Sequence, residues 1–127
     1  MGSLEYHKLW KRNYRKTHSG KASQLLSSAK NRAKIKNLEV SITKEWILNK
    51  LNIGICELSG LFFDFSNTGR INRNPFSPSI DRIDCNLGYT PNNCRVILLS
   101  MNDALNQYGL DHFLKVAKAV IDKHKEK

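Results

Sequence analysis

Apolar positions change their period several times along this chain, and each change predicts an element. Tyr6, Trp10 and Tyr14 recur every fourth residue, the spacing of one helix face. Between Ser23 and Lys34, the residues Leu25, Leu26, Ala29 and Ala33 make an apolar stripe opposite Lys30, Arg32 and Lys34. That pattern predicts an amphipathic helix with a basic outer face. Leu38 to Ile42 alternates and predicts a short strand. Thr43 suits the N-cap of a helix over about 44–52, with Trp46, Ile47 and Leu51 inward and Gly54 at its end. Residues 55–63 read as a hairpin, and 66–74 as a polar loop.

Ser79 to Asp84 and Cys94 to Leu98 read as two strands joined by a turn-rich connection. Ser100 is placed to cap a helix over about 101–108 that Gly109 closes. Asp111 is placed to cap the last helix, whose Phe113, Val116, Ala117, Val120 and Ile121 repeat at helical spacing and are expected to pack as core. The fold class expected is α+β. No repeat or linker divides the 127 residues, so a single domain over 1–127 is expected.

Charge narrows the partner. The formal net charge is +10. Residues 1–36 hold Lys8, Lys11, Arg12, Arg15, Lys16, Lys21, Lys30, Arg32, Lys34 and Lys36 against Glu5 alone. A basic helical arm of this kind is the electrostatic footprint of a phosphate backbone. The bland alternative is a solvated helix face, which is also where DNA would lie. Arg70 and Arg73 in the polar loop, with Arg82 and Arg95, extend the set of expected phosphate contacts. No apolar run is long enough to span a membrane, and the N-terminus has no apolar signal core. Cys56, Cys85 and Cys94 are odd in number and irregular in spacing, which argues against a disulfide framework and for a cytoplasmic, reducing home.

The densest information lies in Pro75-Phe76-Ser77-Pro78-Ser79-Ile80-Asp81-Arg82-Ile83-Asp84, then Gly88-Tyr89-Thr90-Pro91-Asn92-Asn93, then Asn102. Two carboxylates on a strand-like run, a turn, an Asn opening a second strand and a further Asn in a helix form an ordered set. The set resembles the HNH (His-Me finger) endonucleases in the variant that reads S-x-D-R-I-D and then G-Y-T-x-x-N. Cys56-Glu57-Leu58-Ser59-Gly60 is similar to the C-x-x-T-G segment that such proteins carry upstream. The likeness covers about residues 20–122.

That resemblance implies a ββα-metal core over 75–108, a two-stranded antiparallel hairpin plus helix, flanked by N- and C-terminal helices. It implies cleavage of phosphodiester bonds in duplex DNA, with one Mg²⁺ or Mn²⁺. Asp81 and Asn102 would be the ligands, since such ions take a few hard oxygen donors and keep several waters. Asn93 would brace the inter-strand loop. A phage or bacterial origin goes with the family.

Arg82 stands in the family's histidine slot, and a guanidinium cannot accept a proton at working pH. His7, His18, His112 and His124 all lie outside the motif. Three routes to an activated water stay open: Asp84 as proton acceptor, Tyr89 as an unusual base, or a metal-bound water or bulk hydroxide with Arg82 stabilising the transition-state charge. The zinc knuckles of many relatives need paired cysteines, whereas Cys56 is followed at the paired position by Ser59, so no structural zinc is expected. Phe62, Phe63, Phe65 and Phe76 are expected to supply that cohesion as core. Two other readings stand beside the nuclease. One is an inactive nucleic-acid-binding module on the same fold; the other is a basic RNA-binding protein using Tyr6, Trp10 and Tyr14.

Overall fold

In chain order the elements are α1 (His18–Lys36), α2 (Lys44–Ile53), β1 (Pro78–Arg82), β2 (Cys94–Leu98), α3 (Leu99–Leu105) and α4 (Gly109–His124). The structure is a computed structural model that describes residues 4–6, 8–9, 17–66 and 73–125. The fold is α+β, with an antiparallel strand pair, a helix directly after it and helices on either side. His7, Trp10, Tyr14 and Arg70 lie outside the described residues, and with them most of the expected aromatic arm.

α1 starts five residues before the apolar stripe because Thr17 caps it, its hydroxyl accepting from the Gly20 N–H at 3.0 Å. Asn37 ends it in the left-handed conformation. Its buried face is small: Ala22, Ala29 and Ala33 with Leu25, which lets α2 pack close. α2 forms where expected, with Thr43 accepting from the Trp46 N–H and Gly54 left-handed at its end.

The predicted strand over 38–42 is not one. Val40 makes a single parallel bridge to Tyr89. Only that residue is available as a partner, because 91–93 turn away immediately. The 55–63 hairpin is likewise reduced to one bridge, Ile55 to Phe62, around a tight turn. That turn covers the outer edge of β2. Glu57 N–H donates to Val96 O, its carboxylate accepts from Val96 N–H at 2.6 Å, and Cys56 Sγ accepts from Leu98 N–H. Unpaired strand edges invite association, and here side chains satisfy the edge. Burial pushes the Cys56 thiol up, but bonds from Ser59, Leu98 and Leu58 outweigh it and leave the thiol below its ordinary value.

β1 and β2 pair in register from Pro78 opposite Leu98 to Arg82 opposite Cys94. Ile47, Leu51, Val96, Ile97 and Leu105 are fully buried between the sheet and the helices. Helix α3 begins at Leu99, two residues earlier than Ser100 capping predicts. Its first N–H groups need no side-chain cap, since Leu99 donates to Ser77 O and Ser100 to Pro75 O. Gly109, at φ +85, opens α4 rather than closing α3.

Two core expectations are corrected. No residue of α4 is buried: Leu110 and Phe113 reach the core, whereas Val116, Val120 and Ile121 stay about half exposed as the helix runs past the body. Of the phenylalanines only Phe63 is buried and Phe65 half-buried; Phe62 and Phe76 face solvent. Neighbouring residues on extended backbone point to opposite sides, so Phe62 and Phe63 cannot both face inward. Among the described residues no helix is long and apolar enough to cross a membrane.

Candidate functional site

The strand pair delivers Asp81 and Arg95 to directly opposed positions. Asp81 is buried, and Arg95 Nε donates to its Oδ2 at 2.7 Å. The other carboxylate oxygen, Oδ1, has no hydrogen bond among the described residues. Among the described residues no buried side-chain oxygen is left without a partner, so Oδ1 keeps some contact with solvent.

Asn102 is pinned to the same strand from α3. Its Nδ2 donates to Ser79 Oγ at 2.8 Å and to Ile80 O at 3.0 Å. A main-chain carbonyl can only accept, so this pair fixes the amide orientation and turns Oδ1 away from β1. Asp81 and Asn102 line one cavity of about 300 Å³, together with Arg32, Arg73, Arg82, Tyr89 and Asp103. One open carboxylate oxygen and one open amide oxygen are the hard donors a Mg²⁺ or Mn²⁺ ion takes, so these residues fit such an ion. Among the described residues no three His, Cys, Asp or Glu side chains cluster as a metal site.

Asn93 holds the loop between the strands. Its Oδ1 accepts from Asp84 N–H, and its Nδ2 donates to Asp84 O and Gly88 O, all within 2.9–3.0 Å. The brace keeps Gly88-Tyr89 against the segment after α1. A Cβ on Gly88 would lie 2.4 Å from Glu39 O, a contact no side chain tolerates. Tyr89 N–H donates to that same carbonyl, and its own carbonyl accepts from Ser41 and Ile42.

Tyr89 also organises two cations. Its hydroxyl accepts from Arg32 Nε at 3.1 Å, and the Arg82 guanidinium lies 4.9 Å from its ring centroid. Arg82 Nη1 donates to Cys85 O and Leu87 O. Arg82 is therefore a loop brace that also lines the cavity with its charge. Tyr89 is 3% exposed and its oxygen is engaged, which leaves it poorly placed to collect a proton from water.

Asp84 is not brought to the cavity. Its carboxylate accepts from Asn86 N–H at 2.9 Å in a local turn, and it lines none of the cavities beside Asp81. The carboxylate that does reach is Asp103, missed by the sequence reading. It is exposed, lines the cavity with Asp81 and Asn102, and sits 3.5 Å from Arg73. Its only signal was its place after Asn102. Adjacent helical residues point about 100° apart, so nothing in the spacing foretold a shared cavity.

The bases of α1 divide. Arg32 and Lys36, one turn apart, line cavities at this site, whereas Lys30 and Lys34 are exposed and line none. Lys21 is half-buried near the start of the helix. Among the described residues no histidine reaches the cavities: His18 stacks on Phe65 and bonds Asn52, His112 lies against Tyr108, and His124 bonds Val120 O. Cys56, Cys85 and Cys94 are free. Comparisons of the chain with protein-family models, curated proteins and solved structures found no match.

Proposed function

We propose that this chain is a metal-dependent endonuclease of the HNH type that hydrolyses phosphodiester bonds in duplex DNA. The observation that carries the reading is the pairing of Asp81 and Asn102, each with an open oxygen, on one cavity rimmed by Arg32, Arg73 and Arg82. Asp81 and Asn102 would hold Mg²⁺ or Mn²⁺, which supplies polarisation of the phosphodiester and stabilisation of the departing 3′ oxygen. Arg95 keeps Asp81 in one orientation through its Nε bond. Arg32 and Arg82, both fixed by Tyr89, face the non-bridging phosphate oxygens and oppose the charge that builds on them. Asp103 takes the proton of the attacking water as the phosphorus–oxygen bond forms and the 3′ oxygen leaves. Lys36 and the outer bases of α1 extend the phosphate track.

A specific observation favours a second reading, a nucleic-acid-binding module without catalysis. Among the described residues no histidine reaches the cavity, and Arg95 already neutralises one oxygen of Asp81. The test is incubation of supercoiled plasmid with the protein in Mg²⁺, in Mn²⁺ and in EDTA. Nicking in either metal and none in EDTA is expected. Binding without cleavage in all three would replace the nuclease with the binding module.

A further inference from the structure

Next to the Asp81 cavity lies a larger one of about 680 Å³, and its wall is rich in carboxamides: Asn86, Asn102, Asn106 and Gln107, with Arg82 and Lys36 at the rim. Asn102 is committed to β1. The side-chain amides of Asn86, Asn106 and Gln107 have no partner among the described residues. Asn106 lines all three cavities beside the strand pair. Its backbone is held at φ 44, ψ −129, a region that only glycine enters freely, and its N–H is tied to Asn102 O. A non-glycine residue kept in that conformation at the break between α3 and α4 is a fixed platform for an amide.

We infer that Asn106 and Gln107 read an adenine base in the DNA beside the scissile phosphate. The inference rests on the DNA-binding part of the function proposed above. A carboxamide offers one donor and one acceptor side by side, the complement of adenine N7 and N6 in the major groove. Phosphate contacts from Arg32, Arg82 and Lys36 place the duplex without reading it, so sequence information has to come from uncommitted polar groups next to them. The amide wall is the group of this kind that adjoins Asp81. Asn86 lines the same cavity and is carried by the loop that Asn93 braces.

The experiment is selection of bound duplexes from a randomised pool in EDTA, followed by sequencing, for wild type, Asn106→Gly and Gln107→Ala. Asn106→Gly removes the amide and relaxes the backbone, so loss of fold is not a competing explanation. Wild type is expected to enrich adenine at one position by about tenfold. Each variant should lower that enrichment severalfold while binding the unselected pool within twofold of wild type, with the same salt dependence. In a selected site, 7-deazaadenine, which lacks N7, should weaken wild-type binding and leave Asn106→Gly unaffected. Binding with no preferred base, or enrichment unchanged in both variants, would overturn the inference and leave DNA binding standing. Failure of wild type to bind any duplex would overturn both.

Discussion

Arg95 meets Asp81 because antiparallel register puts them opposite each other, and that one pair sets much of the site's behaviour. A guanidinium on a ligand carboxylate competes with a divalent ion for the same charge. Arg95→Gln should therefore tighten Mn²⁺ binding about tenfold, read by titration with electron paramagnetic resonance, while slackening the orientation of Asp81. Asp103 gives a sharper assignment. Asp103→Asn should lower the cleavage rate by about 10²-fold or more and leave duplex affinity within a factor of two. Asp84→Asn should cleave nearly as wild type, since its carboxylate serves only a turn; the reverse pattern would return the proton to Asp84.

A third residue-scale prediction concerns Cys94, whose thiol burial pushes up from 9.0 to about 11, with Arg82 opposing and Asp81 adding to the shift. A group whose folded pKa is raised keeps its full stabilising effect below the unfolded value and loses it as pH climbs through the folded one. Stability should fall as pH rises from about 9 through about 11 on account of this group. Denaturation of Cys94→Ala across that range should show a shallower decline.

Helices with a cap and a period, such as α2 between Thr43 and Gly54, were legible because every local signal agreed. The strand pair was legible for the same reason. Segments 38–42 and 55–63 alternate like strands yet bond through side chains and single bridges, because their partners are turns. Alternation reports a half-buried extended chain and says nothing of what lies alongside. α4 shows the converse, a strong helical period whose apolar face has little body to cover it. Gly88 is the element-scale test: Gly88→Ala must push Tyr89 off Glu39 and take Arg32 and Arg82 with it. A loss of about 2 kcal/mol or more in chemical denaturation is expected.

At the scale of the molecule, α1, the inter-strand loop and α3 meet on Asp81 from three parts of the chain. The placement of Asp81, Asn93 and Asn102 about the strand pair was legible from their order along the chain. Tyr89 as an organiser of cations and Asp103 as the reachable carboxylate were not, since both depend on how α1 and α3 close over the sheet. The same closure separates bases at the site from bases in solvent. Arg32→Ala should reduce the slope of log affinity against log salt by about 1, and Lys30→Ala should change it less.

On the proposed function, Asp81 is required for cutting and dispensable for binding. The measurement is the rate of supercoiled plasmid nicking in Mg²⁺ or Mn²⁺ for wild type and Asp81→Ala, with duplex affinity of both read in EDTA. At least a hundredfold slower nicking by Asp81→Ala is expected, with affinity held within a few fold. Equal nicking by the two proteins would place the chemistry elsewhere and contradict it.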